Sequence, residues 1–165
     1  MSYQEKKTLV SILTGILLLA AYCIYAFSKV QAGMVAPDDM KFWATTILIF
    51  IGIGVVASIV IQIVFHILLS IAIAVRKQMQ DGQCDDKEVE KTIKQEMVEN
   101  EMDKLIGLKS MRVGFAVAGI GFIAALVSLL LNHSPAVMLN IIFISFSIGT
   151  IVEGITQLYF YRRGV

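Results

Sequence analysis

Glu153 is the single carboxylate inside the long apolar segments of this chain, and residue types that could share a site with it occur in neighbouring segments. His66 and Gln62 interrupt a long apolar run, and Thr14 lies in another. A carboxylate, an imidazole, an amide and a hydroxyl can together bind a cation, exchange a proton or hydrogen-bond a small ligand. Because burying a charge in hydrocarbon is costly, such a carboxylate is by default a candidate functional residue.

Three other interpretations of this polar group stay open. In the first, Glu153 is neutral or paired with His66 and only holds helices together. In the second, Glu153 reaches the inner interface of the membrane and has no special role. In the third, His66 is an axial ligand of haem, since imidazoles within helix bundles hold haem in membranes. His133, the only other histidine, is expected in a turn at the opposite end, so a methionine would have to supply the second ligand. The cofactor is therefore unknown, with haem as an alternative.

Four apolar segments are expected to position these residues as membrane-spanning helices. A hydrocarbon core about 30 Å thick is crossed by about 20 helical residues, and the second segment has 34 residues without Asp, Glu, Lys or Arg. The sequence therefore predicts an all-α, polytopic membrane protein with four transmembrane helices. The predicted spans are Thr8–Ser28, Phe42–Val75, Val113–Leu131 and Ala136–Phe160.

Counting along the helices places the polar residues at similar depth. The second and fourth spans run in the same direction, and His66 and Glu153 each lie nine or ten residues before the basic residue that follows their apolar run. Gln62 precedes His66 by about one helical turn, and Thr14 of the first span falls near the same level. The predicted ligand-binding residues in the inner half of the bundle are thus His66, Glu153, Gln62 and Thr14.

Small residues recur along the third span with helical spacing. They are separated by four, three, four and three positions, so they share one helical face. In lipid, small side chains let helices approach closely. We expect this face to be a helix contact and, because four helices alone could leave it directed at lipid, we also expect a homodimer or a membrane-protein partner. The residues of this seam are Gly114, Ala118, Gly121, Ala125 and Ser128.

The segment between the second and third spans is charged and interrupts the apolar pattern. Residues 76–112 hold 17 of the 27 Asp, Glu, Lys and Arg residues. Asp85 and Glu88 have the spacing of a capping box, and apolar residues recur after them near helical spacing. We therefore expect a single membrane domain, residues 1–165, in which 77–110 form a cytoplasmic amphipathic helical hairpin.

The basic residues predict the orientation in the membrane. Eight of them flank one side of the predicted spans and two flank the other. Positively charged flanks stay in the cytoplasm, so we expect a multi-pass protein of the plasma membrane with both termini cytoplasmic. The eight are Lys6, Lys7, Arg76, Lys77, Lys109, Arg112, Arg162 and Arg163.

Composition and motifs narrow the function class. Hydrophobic residues make up 57% of the chain and charged residues 16%, and the net charge is +1, which gives no basis for nucleic-acid binding. The sequence lacks HExxH, GxSxG and a phosphate-binding loop, so no enzymatic motif is complete. Cys23 and Cys84 are expected at different depths, which argues against a disulfide.

One stretch before the third span carries a resemblance. Residues 99–112 resemble the pattern D-E-R-D-x-x-I-x-x-K-x-x-R, which is found in small bacterial multi-span membrane proteins that mostly lack a known activity. Asn100 and Met102 depart from the pattern. The resemblance implies a bacterial plasma-membrane protein and says little about chemistry. The matching residues are Glu101, Asp103, Ile106, Lys109 and Arg112.

Together these observations favour a non-enzymatic plasma-membrane protein that binds a small ligand or ion within its helix bundle, for sensing or transport. One alternative is a structural or regulatory subunit of a membrane complex. The other alternative is a haem-binding membrane protein.

Overall fold

The computed structural model describes residues 3–81 and 100–163, apart from the side chains of residues 66, 69, 73 and 76–81. Over these residues the chain forms four helices and no strand: α1 (Tyr3–Gln31), α2 (Met40–Asp81), α3 (Glu101–Leu130) and α4 (Pro135–Arg163). Each helix is long and apolar enough to cross a membrane. The predicted all-α, four-span fold class is therefore confirmed.

The third helix begins well before the predicted membrane span. The side chain of Asn100 accepts a hydrogen bond from the Asp103 amide at 2.7 Å, and the Asp103 carboxylate accepts one from the Asn100 amide at 2.9 Å. This reciprocal pair is a capping box, and it starts α3 at Glu101. Residues 101–110 of the predicted hairpin thus continue into the membrane segment as one helix. Residues 82–99 of that hairpin, including Asp85 and Glu88, lie outside the described residues.

The connection between α3 and α4 is a tight turn. Asn132 adopts a positive φ of 60°, a conformation that asparagine tolerates better than most residues. The predicted fourth span begins at Ala136, and the structure starts this helix one residue earlier, because Pro135 is the first residue of α4. The first helical position suits proline, since its missing N–H has no intrahelical acceptor there.

Helix α4 is the central element of the bundle. It contacts each of the other three helices, and its contact with α3 is the most extensive. By contrast, α2 lies at the edge, and none of the described side chains in its most apolar stretch is buried. Sites formed between helices are therefore expected along α4.

The seam of small residues on α3 packs against α4. A Cβ added to Gly121 would collide with Ser145, and one added to Gly114 would lie 2.9 Å from the carbonyl oxygen of Gly149. The other seam residues, Ala118, Ala125 and Ser128, are buried. The predicted helix contact is confirmed, but it lies within one chain. The seam therefore gives no argument for a second copy, and a homodimer would have to form through another surface.

The end of the bundle near the two short connections has an aromatic core. The ring of Tyr22 lies between those of Phe50 and Phe143, with centroid distances of 5.3 and 4.5 Å. Its hydroxyl donates a hydrogen bond of 2.5 Å to the side-chain oxygen of Asn140. Apolar side chains dominate this end, so a polar site is expected at the other end.

Candidate functional site

A cavity of about 210 Å³ lies between α1, α2 and α4, in the half of the bundle opposite the aromatic core. Among the described residues, α3 contributes nothing to its lining. Polar side chains from three helices converge here, which is unusual for a bundle whose surface is dominated by exposed aliphatic residues. The polar residues that line the cavity and were not among the predicted site residues are Gln4, Lys7, Thr8, Ser11, Ser58, Thr150 and Gln157.

Three of the four predicted site residues line this cavity. Thr14 comes from α1, Gln62 from α2 and Glu153 from α4. The side chain of His66 lies outside the described part of the structure, although its backbone belongs to α2, one turn beyond Gln62. The helices therefore bring the described members of the predicted set together, and their role in ligand binding stays a prediction.

Glu153 is positioned by close packing between α3 and α4. A Cβ on Gly114 would lie 2.9 Å from the Cβ of Glu153 and 3.1 Å from its Oε2. Only a glycine leaves room for the glutamate at this crossing. Within the described residues, the Glu153 carboxylate has neither a hydrogen-bond donor nor an ion-pair partner. Its oxygens are thus available to a group inside the cavity.

Two threonines present oxygen lone pairs to the cavity. The Thr14 hydroxyl donates its proton to the carbonyl of Val10 at 2.8 Å, and the Thr150 hydroxyl donates to the carbonyl of Phe146 at 3.1 Å. A hydroxyl whose proton is committed in this way can act only as an acceptor toward another group. Together with the carboxylate of Glu153, these oxygens favour a ligand that is a cation or a hydrogen-bond donor.

The Thr8 hydroxyl ties α1 to α4 at the rim. It lies 2.9 Å from the carbonyl oxygen of Gln4 and 3.2 Å from Oε1 of Gln157. Its single proton can be shared between these two acceptors. The contact holds the polar face of α1 against α4 and so fixes one wall of the cavity.

Lys7 lies nearer the end of the bundle than Glu153. Gly154 packs on Ile12, and Gly15 packs on Ile151, so Glu153 is level with residues 12–14 of α1. Lys7 is about six residues from that level, or about 9 Å along the helix. Lys7 is thus at the rim of the cavity, near the end of the bundle, and the Glu153 carboxylate lies deeper.

The described residues offer no obvious ligand set for a metal or for haem. No group of three or more His, Cys, Asp or Glu side chains that could hold a metal occurs among them. Described His, Cys and Met side chains, which most often ligate haem iron, line neither the cavity at Glu153 nor a second space that adjoins it between α2 and α4. His133 lies in the turn after α3, at the opposite end. Haem therefore stays an alternative that depends on His66.

A polar stripe on α1 was not predicted from the sequence. Gln4, Thr8, Ser11 and Thr14 all line the cavity, and their spacing of four, three and three residues is helical. Only Thr14 was singled out, by its depth. The spacing alone was a sufficient signal for the other three, and it also indicates which face of α1 turns toward α4.

The stretch that resembles the bacterial pattern has a structural role at the same end of the bundle. Asp103 caps α3, Ile106 is buried, and the ammonium group of Lys109 lies 5.9 Å from the centroid of the Phe160 ring. Of these residues, Lys109 connects the first part of α3 with the end of α4. The resemblance itself remains a prediction.

The chain matches no protein-family profile, no curated protein and no solved structure.

Proposed function

We propose that this protein is a non-enzymatic plasma-membrane protein that binds a small cation or cationic ligand at Glu153, for sensing or transport. The observation that carries the proposal is the cavity shared by Thr14, Gln62 and Glu153. A carboxylate without a described partner sits there among hydroxyl oxygens. Such a group is costly to retain inside a membrane segment, and in membrane proteins it commonly marks a site for a ligand, an ion or a proton.

The size of the cavity supports a small ligand. Its volume of about 210 Å³ lies below the roughly 300–1,000 Å³ of pockets that hold drug-sized molecules. It is nevertheless large enough for several water molecules, since one needs only about 10–15 Å³ of such space. A hydrated alkali cation, an ammonium ion or a small amine fits these limits.

The basic flanks support an orientation in which this cavity faces the cytoplasm. Lys7, Arg162 and Arg163 belong to the end of the bundle nearer the cavity, and positively charged flanks stay inside. In this arrangement both termini are cytoplasmic. The ligand then reaches Glu153 from the cytoplasmic side, past Lys7.

Thermal unfolding of the purified protein in lipid nanodiscs tests the proposal. The midpoint is measured with lithium, sodium, potassium, ammonium and methylammonium chloride at constant ionic strength. A ligand at 100 times its dissociation constant stabilises a protein by about 2.7 kcal/mol, so at least one cation should raise the midpoint. Glu153→Gln should remove this response. Glu101→Gln, at an exposed carboxylate on the first turn of α3, should keep it.

Two results would contradict cation binding. One is a midpoint that no cation changes, and the other is an equal response in wild type and Glu153→Gln. If Glu153→Gln is then tolerated while His66→Leu is damaging, Glu153 and His66 only hold helices together. If a cation does bind, its uptake into proteoliposomes distinguishes transport from sensing.

A further inference from the structure

A second, apolar space adjoins the cavity. It is a groove of about 610 Å³ between α2 and α4, and Leu18 of α1 also lines it. Along α4 it extends from Leu139 to Thr150, and eleven helical steps correspond to about 16 Å. Its walls are mainly isoleucine, valine, leucine and phenylalanine side chains. The groove has the length and the lining of a site for one hydrocarbon chain.

The groove and the cavity meet at two residues. Ser58 and Thr150 line both spaces, and Glu153 follows Thr150 by about one helical turn. A ligand could therefore occupy both spaces at once. One end of it would meet the carboxylate of Glu153, and the other would meet only apolar side chains.

The groove is accessible from the side of the bundle. Val55, Ile59 and Phe146 line it, and their exposed fractions are 55%, 54% and 51%. In a membrane these side chains face lipid. A chain already dissolved in the bilayer can thus enter sideways between α2 and α4, without passing the rim at Lys7.

We infer that the ligand of this site is a single-chain cationic amphiphile, with its ammonium group at Glu153 and its alkyl chain in the groove. The inference rests on the proposed cation site and adds the class of the ligand. Glu153 is the only carboxylate among the described residues lining either space. Lys7 lies on the side of Glu153 away from the groove, so the head of a chain in the groove reaches Glu153 first.

The probe is dodecylammonium. Two control compounds are used: methylammonium, which has the cationic head without the long chain, and dodecanoate, which has a long chain with a negatively charged head. Thermal unfolding in nanodiscs gives the concentration at which each probe raises the midpoint, and native mass spectrometry counts the bound molecules. Dodecylammonium should act at a concentration roughly tenfold lower than methylammonium or less, because burying a few methylenes already gives that factor. One molecule should remain bound to each chain, and dodecanoate should not bind.

Dodecylammonium also accumulates in the nanodisc lipid, which by itself would lower the concentration at which it acts. Two variants distinguish this effect from binding in the groove. Ser147→Phe places a ring in the groove, where Ser147 is a lining residue. It should remove the gain from the alkyl chain and leave the methylammonium response intact. Ala124→Phe adds the same ring to an exposed position of α3 and should change neither response.

The outcomes distinguish this inference from the proposed function. If methylammonium binds through Glu153 but the alkyl gain is equal in Ser147→Phe and Ala124→Phe, the groove has no role and the cation site stands. If Glu153→Gln keeps the dodecylammonium response, the head does not lie at the carboxylate and the inference is wrong. If neither amine binds while another cation acts through Glu153, the inference is wrong and the cation site stands. If no cation acts through Glu153, both proposals are wrong.

Discussion

Gly114 of α3 faces Glu153 of α4 so closely that the two residues determine each other's environment. A Cβ at position 114 would lie 2.9 Å from both the Cβ of Glu153 and the carbonyl oxygen of Gly149. The backbone of α4 cannot yield without moving the helix. The position of the carboxylate therefore depends on a residue that does not line the main cavity.

Gly114→Ala should displace α4 and with it Glu153. Overpacking of this kind costs about 1–3 kcal/mol, so we expect a lower free energy of unfolding and a weaker cation response. Gly119→Ala is the matched control, because a Cβ there meets nothing within 4 Å. It should be neutral or stabilise by about 0.5–1 kcal/mol, since alanine is the better helix former. Equal effects of the two changes would mean that Gly114 does not position Glu153.

Gly121→Leu should disrupt the contact between α3 and α4. The added side chain would collide with Ser145, so the two helices must separate or rotate. We expect a loss of stability in detergent larger than the roughly 1–3 kcal/mol typical of overpacked cores. Gly119→Leu adds the same side chain to the open face and should unfold near the wild-type midpoint. Stability that is unchanged in Gly121→Leu would place the seam against lipid.

Tyr22→Phe should weaken the aromatic end of the bundle. The change keeps the ring between Phe50 and Phe143 but removes the hydrogen bond to Asn140. Loss of one such bond costs about 0.5–1.5 kcal/mol, measured as the free energy of unfolding. Tyr25→Phe is the control, because the Tyr25 side chain is 42% exposed, and it should cost less. A larger effect of the control would show that the Tyr22 hydroxyl adds little stability.

Thiol labelling should establish the orientation. In a Cys23→Ala background, we expect an impermeant reagent to modify Cys84 only after the cells are permeabilised, because the basic flanks favour a cytoplasmic location for that segment. A second variant lacks both cysteines and carries Ala36→Cys in the connection between α1 and α2. It should react in intact cells. The reverse pattern would invert the proposed topology.

The spans and the polar layer could be predicted because both depend on periodicity and depth. Long apolar runs have one stable form in lipid, the helix, so α1 to α4 follow directly from composition. Thr14, Gln62 and Glu153 could be placed together because helices of known rise put them at one level.

The pairing of the helices could not be predicted from these patterns. Small residues on α3 favour a close helix contact, but they do not say whether the partner is α4 or a second copy. The choice depends on Ser145 and Gly149, which complement Gly121 and Gly114 in three dimensions. The groove was missed for a related reason. Its walls belong mainly to α2 and α4, and the sequence pattern does not distinguish an apolar side chain that faces lipid from one that lines a groove.

The central place of α4 has a consequence for how the protein is made. Because α4 follows the other helices in the chain, α1 enters the membrane before α4 does. The partners of the described side-chain hydrogen bonds between α1 and another helix are therefore still missing at that stage. Thr8 and Tyr22 meet Gln157 and Asn140 only when α4 arrives. A chain halted before α4 would therefore leave these hydroxyls and the whole seam of α3 exposed to lipid. Such a partial product is the form that membrane quality-control proteases should remove first.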